Sequence, residues 1–332
     1  MSARLSLVLE RGDLELPGEG RILLLHPTEV SELTALPAGR VLAVQPFRPD
    51  FEALERRRIA VAPELPEGER FAAAVIFVPR ARDLSRALVA QAVAVCDGPV
   101  VVDGARTDGI EPLVKALRGR VGLDGSIAKA HGRIAWFAAS PDLAPGFDDW
   151  REQAGEVEGF RTRPGVFSAD AVDPASALLA EHLPDKLGAH VADLGAGWGY
   201  LSARILRDAG VKRLDLVEAD ARALDCARAN VDDPRAAFHW ADARHWAPEG
   251  AVDAVVMNPP FHAGRAADPE LGRAFIAAAA RMLTGSGRLW LVANRHLPYE
   301  AALTAAFARV EEIGGDGRFK ILRAERPSRG RR

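Results

Sequence analysis

Val191-Ala192-Asp193-Leu194-Gly195-Ala196-Gly197-Trp198-Gly199 is an apolar run that breaks into alternating glycines, with helical spacing resuming at Tyr200. A short apolar run that ends in glycine reads as a buried strand. Glycines at the turn let the backbone bend tightly and approach a ligand without Cβ clashes. The helix beyond begins with unpaired N–H groups. Strand, glycine turn and helix in that order predict an α/β unit built on a mostly parallel sheet.

The same alternation extends both ways along the chain. Strands are expected at Arg21–Leu25, Val41–Gln45, Ala74–Val78, Val100–Asp103, Leu214–Glu218, Ala237–Trp240, Ala254–Met257 and Leu289–Ala293. Helical spacing occupies Tyr200–Ala209, Ala221–Asn230 and Gly272–Leu283. At 332 residues the chain is long enough for two domains. The stretch 146–163 is polar and mixed in charge, and is read as a linker between domains at 1–145 and 164–332.

The two halves echo each other in order. Arg40-Val41-Leu42-Ala43-Val44-Gln45 parallels Arg213-Leu214-Asp215-Leu216-Val217-Glu218, and Ala74–Pro79 parallels Ala254–Pro259. Val100–Gly104 parallels Leu289–Ala293, and Gly132-Arg133-Ile134 parallels Gly317-Arg318-Phe319. Four echoes in one order indicate an internal duplication.

Composition bounds the partners. Net charge is -3, so nucleic acid would have to be met by a local basic face rather than a global field. The two cysteines, Cys96 and Cys226, sit in apolar stretches and make neither a disulfide framework nor a cysteine zinc site. No secretory pattern and no apolar run of ~18 residues is present, so a cytoplasmic protein away from membranes is expected. His239, His245 and His262 lack metal-ligand spacing, and no metal is expected.

Around the glycine turn, carboxylates stand where a nucleoside would need them. Glu218 ends the next strand, about 20 residues on, where it can accept both hydroxyls of a ribose. Asp242 follows the strand after that and can reach an adenine amino group. A dinucleotide dehydrogenase would also use a glycine loop and a second-strand acid. Asp193, two residues before the first glycine, would repel a pyrophosphate but attract a cationic amino-acid end. The loop therefore favours a sulfonium cofactor, S-adenosyl-L-methionine.

The buried run Ala254-Val255-Val256-Met257 ends in Asn258-Pro259-Pro260-Phe261. Two prolines force the chain out of the sheet. The Asn258 side chain and the Pro259 carbonyl are then acceptors for one NH2 group, and Phe261 offers a flat face for a base. Conjugated amino nitrogens are poor nucleophiles, so such a site works by orientation and by stabilising developing positive charge.

Asp193–Gly197, Glu218 and Asn258–Phe261 resemble the motifs of class I methyltransferases in their family order. Pro164-Gly165-Val166-Phe167-Ser168, His262-Ala263-Gly264, Val292-Ala293-Asn294 with Leu297-Pro298-Tyr299, and Gly317-Arg318-Phe319-Lys320 resemble the bacterial small-subunit ribosomal RNA guanine-N2 methyltransferases. The match spans essentially all of 160–325 and is architectural before that. The resemblance implies two tandem Rossmann-like class I methyltransferase domains. The N-terminal one is degenerate. The C-terminal one is catalytic, with a seven-stranded, mostly parallel sheet.

By position, the resemblance assigns Asp193, Gly195, Ala196 and Gly197 to the methionine end of the cofactor. It gives Glu218 with Ala219 to the ribose and Asp242 with Ala243 to the adenine, Asn258 also bordering the cofactor. Asn258 and Pro259 would hold guanine N2, while Pro260 and Phe261 would line the base and Phe167 would close over base or cofactor. Trp198 departs from the pattern by its bulk beside the glycine loop.

In the N-terminal half, Gln45 replaces the ribose acid and Val78-Pro79-Arg80 replaces the Asn-Pro-Pro-Phe loop. His26-Pro27-Thr28 follows the first strand without a glycine loop, so this half is not expected to bind the cofactor. Basic elements for RNA are Arg56–Arg58, Lys115 with Arg118 and Arg120, Lys129–Arg133, and above all the tail Arg323, Arg326, Arg329, Arg331 and Arg332. Ribosomal RNA or the small subunit is the expected partner of a monomer. A paired guanine would have to flip out to reach the loop. Two other readings stay open. One is amino methylation of adenine N6 in DNA or RNA, or of a protein glutamine amide. The other is a noncatalytic RNA-binding assembly factor.

Overall fold

The computed structural model describes residues 4–260, 262–263, 266–267 and 269–328, the two short pairs by backbone alone. Phe261, Gly264 and the tail arginines Arg329, Arg331 and Arg332 lie outside the described residues. The chain forms two compact units, Met1–Ala154 and Gly155–Arg332.

The first unit runs α1 (Arg4–Glu10), β1 (Ile22–Leu25), β2 (Val41–Val44), α2 (Arg48–Arg56), β3 (Ala60–Ala62), β4 (Ala73–Phe77), α3 (Arg82–Val95), β5 (Pro99–Ala105), α4 (Ile110–Arg118), β6 (Gly125–Lys129) and β7 (Gly132–Ala138). Its seven described strands are ordered β3-β2-β1-β4-β5-β7-β6. β7 runs antiparallel to both of its neighbours, and the other pairs are parallel. Ile22 and Leu24 enter one core and Leu23 and Leu25 the other, so β1 is apolar throughout because helices cover both faces.

The second unit opens with the hairpin β8 (Gly155–Val157) and β9 (Phe160–Thr162). It continues α5 (Pro174–His182), β10 (His190–Leu194), α6 (Tyr200–Ile205), β11 (Arg213–Glu218), α7 (Ala221–Asn230), β12 (Ala236–Trp240) and β13 (Val252–Met257). A short pair, β14 (His262–Ala263) and β15 (Ala266–Ala267), precedes α8 (Pro269–Met282), β16 (Leu283–Asn294), α9 (Glu300–Ala306), β17 (Phe307–Gly315) and β18 (Phe319–Pro327). The main sheet is ordered β12-β11-β10-β13-β16-β18-β17, the same order as in the first unit. Ala192 and Leu194 face one core with Val255 and Met257, while Val191 faces the other with Leu214, Leu216 and Val256. Fully burying each such Leu or Val contributes ~1.5–3 kcal/mol.

The sequence echoes fall on strands at equivalent places: β2 and β11, β4 and β13, β5 and β16, β7 and β18. Within 146–163, Phe147 and Trp150 are buried in the core of the first unit, and the boundary between the units falls after Ala154. Both cysteines are buried. The helix expected over Tyr200–Ala209 stops at Ile205. Its end is fixed by Asp208, whose carboxylate accepts the Gly210 and Leu187 amides and so competes with a further helical turn.

Strand order reverses between β10 and β13, whose pairing ends at Leu194 opposite Met257. In an open α/β sheet the crevice beyond the carboxyl ends of strands at such a switch point is where ligands bind. The glycine turn and the Asn258 loop both leave the sheet there.

Candidate active site

Gly195, Gly197 and Gly199 have φ of 77°, 56° and 94°, a region that side chains with a Cβ rarely adopt. The amides of Gly195 and Ala196 both donate to the Val217 carbonyl, which pins the turn over β11. A Cβ at Gly197 would meet nothing within 4 Å, so this turn of backbone faces open space. A Cβ at Gly195 would stand 3.9 Å from the Asn258 carbonyl oxygen. The glycine turn and the Asn258 loop therefore form adjoining walls of one site.

Two acids, Glu218 and Asp193, border it. Glu218 accepts the Gly197 amide on one oxygen and the Asp220 amide on the other, both at 2.8 Å. Each oxygen keeps a lone pair for a diol. Asp193 is fully buried, and its Oδ2 accepts the Ser202 hydroxyl at 2.7 Å. Its Oδ1 has no hydrogen-bond partner among the described residues. Burial pushes Asp193 up to about 7, against the Ser202 hydrogen bond and with help from the nearby Glu218 charge. Burial also pushes Glu218 up to about 7, opposed by the backbone amides it accepts. Two such acids beside an open glycine turn suit a ligand that brings both positive charge and hydroxyls, which S-adenosylmethionine does.

Asp242 lies just past β12, held by Arg244 through Nε at 2.9 Å to both oxygens and Nη2 at 2.6 Å. Burial would raise its pKa, but the Arg244 contacts outweigh it and hold the carboxyl low. Ala243 beside it is buried in the core, and the Ala219 carbonyl accepts the Trp240 indole N–H.

Asn258 stands at the end of β13, followed by buried Pro259 and exposed Pro260. Its Nδ2 donates to Asp173 Oδ2 and to Ser176 Oγ, both at 2.8 Å. Asp173 also caps α5 by accepting the Ser176 amide. Neither Asp173 nor Ser176 was anticipated, although Asp173-Pro174 is a legible helix-start signal.

Trp198, the bulky departure from the family pattern, is buried with Val166, Ala223 and Cys226. Its indole donates to the Phe167 carbonyl at 3.0 Å, and Arg222 holds the Pro164 carbonyl at 2.8 Å. The segment Pro164–Phe167 is thus strapped to the glycine turn, with the Phe167 side chain 57% exposed.

His245 lies 4.0 Å from Asp242, and the side chain of His262 lies outside the described residues. His239 and His190 both bind the buried Asp215, and the His239 ring packs tilted against Trp246. Among the described residues no cluster of three His, Cys, Asp or Glu could hold a metal ion. Several of the basic residues considered for RNA serve structure: Arg57 binds the Glu29 and Ser31 carbonyls, Arg120 pairs with Asp149 over Trp150, and Arg133 binds Glu111. Lys115 and Arg118 are exposed on α4, whereas Arg323 pairs with Glu311 on the sheet.

The equivalent positions in the first unit are closed. Gln45 is fully buried, its Nε2 donating to the Pro27 carbonyl at 2.6 Å and its Oε1 accepting the Phe47 amide at 2.9 Å. The Pro79 carbonyl, counterpart of Pro259, accepts the Ser85 hydroxyl at 2.9 Å.

The family described as "Methyltransferase small domain" matches residues 158–323. Proteins called ribosomal RNA small subunit methyltransferase C are similar, some of them over nearly the whole chain. That of Pseudomonas paraeruginosa is 31% identical over 89% of this chain and 94% of its own length. That of Idiomarina loihiensis is 26% identical over 98% and 99%. The solved structure of the T. thermophilus 16S rRNA N2 G1207 methyltransferase, in complex with AdoMet and guanosine, has a TM-score of 0.77 at 26% identity, covering 95% of this chain and 90% of that one.

Proposed function

The chain belongs to the ribosomal RNA small subunit methyltransferase C family, and from this premise we propose that it transfers a methyl group from S-adenosylmethionine to the exocyclic N2 of a guanine in small-subunit ribosomal RNA. The observation that carries this reading is the adjacency of the glycine turn and the Asn258 loop, 3.9 Å apart as measured from a Cβ at Gly195. Cofactor and acceptor nitrogen would share one wall.

When bound, S-adenosylmethionine supplies an electrophilic methyl group on a sulfonium. Asp193 faces the cationic amino-acid end, Glu218 accepts the ribose hydroxyls, and Gly195, Ala196 and Gly197 let the backbone come close. Ala219, Asp242 and Ala243 border the adenine, Asp242 with the lone pairs that Arg244 leaves. The Asn258 side-chain oxygen and the Pro259 carbonyl accept the two N–H bonds of guanine N2. They orient its lone pair and stabilise the charge that develops on nitrogen. Pro260, Phe261 and the exposed Phe167 ring enclose the base, which leaves its stack to enter.

In this reading the unit from Gly155 onward does the chemistry as part of a monomer in the cytoplasm, and the unit before it has no cofactor role. The described helices include none long and apolar enough to cross a membrane.

The test is methyl transfer from labelled S-adenosylmethionine to ribosomal RNA and to small subunits from cells lacking this protein, followed by mass mapping of nucleosides. N2-methylguanosine at one position is expected. Label in N6-methyladenosine or in protein would overturn the assignment.

A further inference from the structure

We infer that Asp173 and Ser176 are positioning residues that decide which end of the Asn258 carboxamide faces the substrate. The inference rests on the reaction proposed above, in which the Asn258 oxygen must be the group presented to an NH2.

An asparagine side chain has two ends of nearly equal size and opposite function: an oxygen that accepts and an NH2 that donates. A residue that must accept from an amino group fails if it is turned over, because its NH2 would then face the N–H bonds of the substrate. Something has to fix the choice. Ser176 alone cannot, since a hydroxyl both donates and accepts. Asp173 can, because an ionised carboxylate only accepts. The Asn258 atom 2.8 Å from Asp173 Oδ2 must be the nitrogen, since an oxygen there would set two acceptors against each other. The second N–H then points at Ser176 Oγ, also at 2.8 Å, so both donors are consumed and Oδ1 is left for the site.

The anchor is rigid. The same Asp173 oxygen accepts the Ser176 amide at 2.8 Å as the cap of α5, and Pro174 in the first turn restricts the backbone beside it. Ser176 is buried. The carboxamide is thereby held by a helix start that lies 85 residues away in sequence from Asn258.

Capping and positioning are separable. Asp173→Ser keeps a good cap residue but is too short to reach Asn258. Asp173→Asn keeps a cap, and because the Ser176 backbone amide already donates to the oxygen that meets Asn258, that donor fixes the acceptor end of the new amide at the same reach. Each is compared with the wild-type full chain for kcat and KM on ribosomal RNA, for S-adenosylhomocysteine affinity, for melting temperature, and for the Asn258 side-chain amide resonances by 15N NMR. Asp173→Ser is expected to lower kcat ~10- to 100-fold. Cofactor-product affinity should stay constant, and the Asn258 NH2 resonances should shift and exchange faster. Asp173→Asn should recover most of the loss, and Ser176→Ala should lower kcat by a smaller factor. Unchanged Asn258 resonances in Asp173→Ser would overturn the inference. So would a kcat loss that simply follows melting temperature and cofactor affinity. If the wild type methylates no guanine, the proposed reaction fails, while the Asn258 resonances still decide this inference.

Discussion

The backbone amide of Gly197 donates to Glu218 Oε2 at 2.8 Å, so the residue proposed to read the ribose also tethers the turn proposed to receive the methionine end. Glu218 accepts the Asp220 amide on its other oxygen. Both neighbours are donors, and a glutamine could satisfy one of them only by turning its own NH2 on the other. Glu218→Gln is therefore expected to behave much like Glu218→Ala. Both should weaken S-adenosylhomocysteine binding ~10- to 100-fold by calorimetry, the range for hydrogen bonds to a charged group. Tight binding by the glutamine variant would show that the amide tethers are dispensable.

Asp193 and Glu218 together give the protein a pH dependence of definite sign. Their carboxyls rise from ordinary values of 3.8 and 4.5 to about 7 in the folded chain. A group that holds its proton more tightly when folded stabilises the fold at low pH and loses that contribution as pH rises through the folded pKa. Without cofactor, the melting temperature should fall between about pH 4 and pH 7. The rise in melting temperature on adding S-adenosylmethionine should grow over the same interval, because the cation and the hydroxyls require both acids ionised. Asp193→Asn should flatten the first trend. A cofactor shift that shrinks with rising pH would contradict this assignment of charges.

Asn258→Ala removes an acceptor from the proposed transition state. A loss of ~10²–10³ in kcat is expected, by analogy with oxyanion-hole donors. S-adenosylhomocysteine affinity should be retained. The variant also loses the contacts to Asp173 and Ser176, so a drop in stability of ~1–2 kcal/mol in denaturant titrations should accompany it. Full turnover with Ala at this position would remove Asn258 from the mechanism.

Trp198 ties Phe167 to the glycine turn through one indole hydrogen bond. Trp198→Phe keeps most of the ring packing against Val166 and Cys226 and deletes that bond. An increase of roughly fivefold in KM for ribosomal RNA is expected, with kcat little changed, as one neutral hydrogen bond would give. A change confined to kcat would place the strap in the chemical step instead.

Much of the fold is legible because interior strands carry their own signature. Ile22–Leu25 and Ala254–Met257 are buried on both faces and appear as unbroken apolar runs, and Val191–Leu194 differs only by the buried Asp193. Among the strands that sequence reading missed, Ala60–Ala62, Gly125–Lys129 and Phe307–Gly315 are at sheet edges, while Gly132–Ala138 and Phe319–Pro327 are the antiparallel strands one place in. Half-exposed edges take charges such as Arg309, Glu311 and Glu312, and their apolar pattern thins out. Phe147 and Trp150 escaped notice for a similar reason, since the residues around them are polar while these two enter the core.

The site divides along the same line. Asp193, the glycines, Glu218 and Asn258 are visible because each sits where a strand turns into a loop, a local event. The Asp173–Asn258 contact spans 85 residues and exists only once α5 meets the end of β13. Arg244 is two residues from Asp242, but a neighbouring Arg and Asp in sequence do not reveal whether the pair closes on itself or serves a ligand.

Gln45 locks the first unit against a carboxylate at the place equivalent to Glu218. Its two buried hydrogen bonds, to the Pro27 carbonyl and from the Phe47 amide, use the donor and the acceptor that an amide has and a carboxylate lacks in combination. Restoring an acid there would set negative charge against a carbonyl oxygen in the interior, at a cost of several kcal/mol before any ligand could bind (roughly the penalty for an uncompensated buried charge). The Ser85 hydroxyl on Pro79 would need replacing as well. A single change toward an acid at position 45 is therefore expected to cost stability without opening a cofactor site in the first unit, so a second site would need several concerted substitutions.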